Sequence, residues 1–231
     1  DYLRPVEAAE EGLVTDTGLR VLQDILPAEA DNRPGGSNPD TYITIHETGN
    51  FARGADAAAH AAYLRGSSAQ AAPVSWHYTV DDHSIYQHLP DGERAYHAGD
   101  GGSGPGNATS IGIEICVDAG GDFEQARANA AALVRLLMER HGIPLANVVQ
   151  HNHWNGKDCP KTIRATAGAW EAFLGLCSGQ GSQGTDPELE AAVDALAAAG
   201  VIDSPARWKT LDFTANSVRL LLIKMGRYVT Q

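Results

Sequence analysis

The chain has 231 residues, 43% hydrophobic and 20% charged, an ordinary globular composition with room for one full domain and a small second one. Its net charge of −12 opposes approach to nucleic acid and to anionic membranes, and no apolar run is long enough to cross a bilayer. Neither partner is expected. The stretch from Asp1 shows no secretory leader, which fits a chain that never had one and equally one that has lost it.

In chain order, "TYITIH" (41–46) reads as a strand with Ile43 and Ile45 on one face and Tyr42, Thr44 and His46 on the other. "ADAAAHAAYL" (55–64) is an Ala-rich helix. "VSWHYTV" (74–80) is aromatic and β-branched, a strand. "GDGGSGPGN" (99–107) reads as a mobile loop. Its G-x-G-x-x-G match at Gly99, Gly101 and Gly104 precedes a strand, not a helix, so a dinucleotide site is excluded. Asn107-Ala108-Thr109 matches a glycosylation acceptor by chance. In "SIGIEIC" (110–116) three isoleucines share one face, while Gly112, Glu114 and Cys116 share the other. A helix follows at 122–142, with Asp122 to cap it and Gly142 to stop it. "NVVQH" (147–151) is a short strand ending at His151.

The expected fold is α/β: a mixed central sheet flanked by helices over residues 1–177, then a small all-helical C-terminal domain. "SGQGSQGT" (178–185) holds no apolar residue and reads as a flexible linker. In 186–231, Asp186 caps a helix, Pro187 suits its first turn and Gly200 its end, and a second helix is expected over 217–229. This piece carries five basic and six acidic side chains, so most of the negative charge lies before it.

Three cysteines are too few, and odd in number, for a disulfide framework. Cys116 and Cys177 are expected in the core. Cys159 lies in "HNHWNGKDCP" (151–160), which gathers reactive side chains that no surface loop needs for folding. His151 and Cys159 are zinc-ligand types, with Gly156 between them to turn the chain back. His46, also at a strand end, is the best third ligand. His153 competes with His151 and Asp158 with Cys159, although thiolate is the stronger zinc donor. Glu114 lies on a strand whose other face is apolar, so its carboxylate needs a partner such as Lys157 or a metal-bound water.

"TYITIHETGN", "SWHYTVDD", "AYHAGD", "SIGIEIC" and "HNHWNGKDCP", in this order, resemble the zinc-dependent N-acetylmuramoyl-L-alanine amidases of the type 2 family, which includes the peptidoglycan recognition proteins. The H-x-x-W-x-G-K-x-C-P spacing is similar to the phage endolysin and autolysin branch. The resemblance covers roughly residues 32–176. It implies zinc held by His46, His151 and Cys159, with Glu114 and Lys157 catalytic and peptidoglycan as partner and substrate. The implied place of action is the bacterial wall, reached from the cytoplasm by an endolysin or after secretion by an autolysin. Many relatives carry a catalytic tyrosine at the position matching Trp76. Indole cannot move a proton usefully, so Trp76 is a substrate wall or plain core. His97 resembles a substrate contact, and Asn107 is added as a third substrate-binding candidate. His77 reads as structural, and His60, His83, His88 and His141 as solvent-facing. The competing functions are a muropeptide-binding module without hydrolysis and a zinc peptidase cutting within the stem peptide. The C-terminal helices, with Trp208 and Phe213, are expected to bind the wall, to form a homodimer contact, or only to pack on themselves.

Overall fold

Side-chain alternation along the strands sorts this protein into a dry face and a polar one. Six strands form one sheet among the described residues: β1 (Val21–Gln23), β2 (Tyr42–Glu47), β3 (Tyr78–Val80), β4 (Ile85–Gln87), β5 (Ser110–Ile115) and β6 (Val148–Gln150). Their spatial order is β1-β4-β3-β5-β2-β6, with β3 and β4 antiparallel and every other neighbouring pair parallel. The computed structural model describes residues 12–71, 74–179, 187–202 and 221. The chain divides into two units, Asp1–Gly179 and Gln180–Gln231.

Eight helices are described: α1 (Ala57–Arg65), α2 (Ser67–Ala71), α3 (Pro105–Thr109), α4 (Phe123–His141), α5 (Asn152–Asn155), α6 (Lys161–Ala165), α7 (Ala169–Cys177) and α8 (Pro187–Ala198). On the dry face Ile43, Ile45, Ile111, Ile113 and Ile115 are fully buried with Tyr78, Val80 and Ile85. They share one core with Ala130, Leu133, Val134 and Leu137 of α4 and Phe173 and Cys177 of α7. Nonpolar area removed from water drives this packing. The helix α4 starts where Asp122 accepts a hydrogen bond from the Gln125 amide, and it ends at left-handed Gly142 (φ 67°). Both caps were legible in the sequence.

The opposite face of the same strands carries Thr44, His46, Thr79, Ser110, Gly112 and Glu114. The β2–β5 register sets His46 opposite Glu114 and Thr44 opposite Gly112.

Several expectations are corrected. Only Tyr78–Val80 of the expected strand at 74–80 joins the ladder. At His77 the ring adds to the backbone: its amide donates to the Gly112 carbonyl at 3.0 Å and its carbonyl accepts from the His88 amide at 2.7 Å, while its Nδ1 accepts from the Gly112 amide at 2.9 Å and its Nε2 donates to the Glu93 carbonyl at 2.8 Å. The glycine-rich loop is held by hydrogen bonds. Asp100 accepts from the amides of Gly106 and Asn107, and the Asn107 Oδ1 accepts from those of His97 and Ala98. Three histidines expected in solvent are packed. His88 is fully buried against Thr79, His60 is buried on α1, and His141 bridges Asp40 and Asp91. His83 is 69% exposed as expected.

In the second unit, Val193, Val201 and Ile202 cluster with Leu196, Ala197 and Leu221, and Gly200 has φ 66°. The Asp186 cap, residues 180–185 of the expected linker, Trp208, Phe213 and the helix at 217–229 apart from Leu221 lie outside the described residues.

Phe173 is fully buried where α7 meets the sheet core. Phe173→Ala is expected to destabilise the first unit by about 3–5 kcal/mol, measured by urea denaturation. A loss under about 1 kcal/mol would contradict this packing.

Candidate metal centre

Three chain segments converge on the polar face. His46 comes from the end of β2 and is 1% exposed. His151 follows β6, with its amide donating to the Ile45 carbonyl at 3.1 Å, so the next-door strand delivers it beside His46. Cys159 returns after α5, which ends at left-handed Gly156 (φ 77°). The returning segment is pinned: the Asn152 amide donates to the Cys159 carbonyl, and the Cys159 amide to that of Lys157. Beyond it, the buried Glu47 carboxylate accepts from the amides of Thr162 and Ile163 at 2.7 and 2.9 Å.

The Nδ1 atoms of His46 and His151 face each other at 2.9 Å, and the Cys159 Sγ is 4.0 Å from the His46 Nδ1. One ligand atom from each residue lies within 4.8 Å of the others. A tetrahedral zinc with Zn–N of about 2.0 Å and Zn–S of about 2.3 Å separates nitrogen pairs by about 3.3 Å and nitrogen from sulfur by about 3.5 Å. The two pairs that include His46 are within about half an ångström of that geometry. The outer nitrogens are engaged: the His151 Nε2 donates to the Ala98 carbonyl at 2.9 Å, and the His46 Nε2 meets the His97 Nδ1 at 2.9 Å. With the His151 proton on Nε2 its Nδ1 is bare, and a His46 that is also bare at Nδ1 would turn two lone pairs towards one point, where a cation fits.

Electrostatics favours the cation. Burial, with the neighbouring His97 and His151, holds His46 well below the usual imidazole range, and burial with Lys157 lowers His151. Both are therefore neutral, as metal ligation requires. Burial and then Glu114 push the Cys159 thiol up to about 12, so only coordination makes it a thiolate near neutral pH. Glu114 Oε1 is 3.9 Å from the His46 Nδ1, while its Oε2 is buried without a hydrogen-bond partner. Burial drives this carboxyl up to about 8, opposed by Lys157 and reinforced by Glu47. An orphaned carboxylate oxygen beside three donor atoms fits a cation and its water.

Glu114 and Lys157 open onto a cleft walled by Trp76, Tyr63, His60 and Asn50. Trp76 is both wall and core: it is 6% exposed, its Nε1 donates to the Thr79 hydroxyl at 2.7 Å, and Tyr63 stacks against it with a 15° interplanar angle. The structure does not bring His97 and Asn107 to the cleft. His97 is buried behind His46, and Asn107 is used up in holding the loop amides and the Gly101 carbonyl. The rival ligands are elsewhere too. His153 is exposed and packs edge-on to Trp154, because the chain turns helical after Gln150 and residues 151 and 153 no longer share a side. Asp158 is exposed and pairs with Arg164 at 3.0 Å. Sequence reasoning missed Thr44 and Ser110, which share the face of His46 and Glu114, and Tyr63 and His60 on α1.

Two histidines and one cysteine, with a carboxylate and an ammonium at the adjoining cleft, form a candidate single-cation site on a mixed sheet. The sequence profile of the N-acetylmuramoyl-L-alanine amidase family matches residues 36–162, and the chain belongs to that family. N-acetylmuramoyl-L-alanine amidase XlyA of Bacillus subtilis (strain 168) is 52% identical over 165 residues, 71% of this chain and 53% of that protein. CwlH of the same strain, also an N-acetylmuramoyl-L-alanine amidase, is 47% identical over 170 residues, 74% of this chain and 64% of that one. The chain thus spans about half to two thirds of the length of these relatives. The solved catalytic domain of XlyA superposes with a TM-score of 0.64 at 51% identity, covering 69% of this chain and 99% of that domain. PlyL superposes with a TM-score of 0.60 at 33% identity, over 68% and 97%.

The raised Glu114 carboxyl has a consequence for stability. The metal-free folded protein keeps a proton there that the unfolded chain releases above about 4.5, so this group's contribution falls as pH rises from 4.5 to about 8. Metal-free Glu114→Gln is therefore expected to be more stable than wild type at pH 8, by a few kcal/mol, with the gap closing towards pH 5. Thermal melts across that range test this, and a gap independent of pH would contradict it.

Proposed function

We propose that the protein hydrolyses the amide between the lactyl group of N-acetylmuramic acid and the L-alanine of the peptidoglycan stem peptide. One zinc ion is held by His46, His151 and Cys159. The observation that carries this reading is the meeting of those three ligand atoms within 4.8 Å, beside an unpartnered Glu114 oxygen and at the wall of the Lys157 cleft. Family membership supports it. A bound zinc polarises the scissile carbonyl and brings a water pKa towards about 7.

The chain's own residues do the rest. Glu114 takes a proton from the attacking water as the new C–O bond forms. It then gives that proton to the nitrogen as the C–N bond breaks and the L-alanine amine leaves. A carboxylate pushed upward by burial suits both halves of this exchange. Lys157 sets positive charge beside the carbonyl oxygen as it becomes anionic. Its position is fixed by its backbone, since its amide donates to the Asn155 Oδ1 and its carbonyl accepts from the Asn152 side chain. Trp76 has no proton to trade and serves as a wall. A binding module without hydrolysis has no use for a buried thiol beside an orphaned carboxylate.

The domain arrangement belongs to the same proposal. Residues 1–177 cut, and 186–231, tethered through 178–185, raise the enzyme's effective concentration at the wall. The near balance of charge after residue 184 suits an anionic wall better than the acidic first part does. The enzyme acts at the bacterial wall, as an endolysin or an autolysin.

Glu114→Ala is expected to abolish lysis of purified walls while keeping one zinc per chain, and Cys159→Ser to lose both. A fully active Cys159→Ser protein with stoichiometric zinc would contradict the ligand set. Mass analysis of the digest should show intact stem peptides with a free L-alanine amino terminus, and cuts only inside the peptide would reject the bond assignment. Lys157→Met should lower kcat by about 10²–10³-fold, and an unchanged kcat would remove Lys157 from the mechanism. Deletion of 186–231 should weaken sedimentation with walls. An unchanged wall affinity with a halved solution mass would assign those helices to dimerisation instead.

A further inference from the structure

Behind His46 runs a chain of hydrogen bonds whose direction is forced at both ends. The Trp154 indole N–H can only donate, and it donates to the Thr44 hydroxyl at 2.9 Å. The Gly106 carbonyl can only accept, and it accepts from the Ser110 hydroxyl at 2.7 Å. Ser110 has a single proton, so its oxygen must accept from its other neighbours. These are Thr44 at 2.8 Å and the His97 Nε2 at 3.4 Å. His97 therefore carries its proton on Nε2, which leaves its Nδ1 bare. That Nδ1 faces the His46 Nε2 at 2.9 Å and accepts from it. His46 is then bare at Nδ1, the atom turned towards His151 and Cys159.

We infer that His97 is a positioning residue that fixes His46 in its metal-binding tautomer, and that the single proton of Ser110 sets this relay. The inference rests on the reading of His46 as a zinc ligand. It removes His97 from the substrate contacts and gives it another role in the same reaction.

The packing supports a dedicated arrangement. A Cβ at position 112 would lie 2.8 Å from the His97 ring, so Gly112 leaves the space in which that ring lies against the sheet. A Cβ at position 106 would lie 2.8 Å from the Trp154 ring and 2.5 Å from the Ala98 Cβ, so Gly106 admits the donor end of the relay. Trp154 lies in the segment that also brings His151 and Cys159, so the relay ties the strand of one ligand to the loop of the other two. A wrong tautomer at His46 would turn an N–H towards the cation and remove a donor atom.

The test uses the full chain, uniformly labelled with 15N. Long-range 1H–15N correlation spectra of the histidine rings report which nitrogen holds the proton, in the zinc-loaded and zinc-free protein alike. His97 is expected as the Nε2–H tautomer in both, with a proton on the His46 Nε2 when zinc is bound. Finding the His97 proton on Nδ1 overturns the relay. Zinc affinity by chelator competition supplies the second readout. His97→Ala should weaken it by about 10–100-fold, while His97→Asn, whose Oδ1 replaces the bare nitrogen, should stay within a few-fold of wild type. Equal losses in the two variants would mean that His97 only fills space, and overturn the inference. If His97→Ala does not fold, Ser110→Ala serves: it should give a mixed His97 tautomer, and an unmixed Nε2–H tautomer there overturns the role of Ser110. Wild type that binds no zinc but shows the Nε2–H tautomer would remove the metal assignment and still support the relay.

Discussion

The pairing of β2 with β5, His46 opposite Glu114 and Thr44 opposite Gly112, holds the polar face of this protein together. Strand side chains alternate, so the same register that buries five isoleucines against α4 and α7 assembles imidazole, carboxylate and hydroxyls on the other side. A slip of one residue would exchange the two faces, placing isoleucines in the cleft and charged groups in the core. The hydrophobic effect thereby specifies the site's geometry to the precision of a strand ladder. The parallel neighbour β6 extends this by delivering His151 directly after its last paired residue.

What the register assembles is costly without a cation. A buried carboxyl, a buried thiol and three imidazoles share one small volume, and each is pushed towards its neutral form. The departures all run in the direction that a divalent ion reverses or uses: neutral imidazoles ready to donate, a thiol that ionises on coordination, a carboxylate ready to hold and release a proton. Structure supplies stability elsewhere, through the α4–α7 core and the capped ends of α4. Function and stability are therefore divided between the two faces of one sheet.

The sequence made much of this legible, for physical reasons that differ by element. β2, β5 and α4 are long enough for alternation or caps to register, and each appeared close to its observed bounds. Strands β1 and β4 have three residues each, below what alternation can signal. The 74–80 segment looked like a full strand because aromatic and β-branched composition does not mark where the ladder begins, at Tyr78. The three metal-ligand candidates and the pair Glu114 and Lys157 were nominated from residue types at strand ends and from the resemblance, and the structure brings the three ligand atoms within 4.8 Å of one another. His97 and Asn107 were nominated as substrate contacts, whereas the structure holds one against His46 and the other in the loop, since a motif shows that a residue recurs in a family and not which way its side chain points. Thr44 and Ser110 were invisible as relay members. Hydroxyls on a strand are common, and only contacts across strands single these two out.

The central claim is that one cation is gripped by two imidazoles and one thiolate from three separate segments. X-ray absorption at the zinc edge of the stoichiometrically loaded protein measures that shell most directly. A four-coordinate zinc is expected, with one sulfur at about 2.3 Å and the remaining nitrogen and oxygen donors at about 2.0–2.1 Å. A shell with no sulfur, or with more than one, would contradict it.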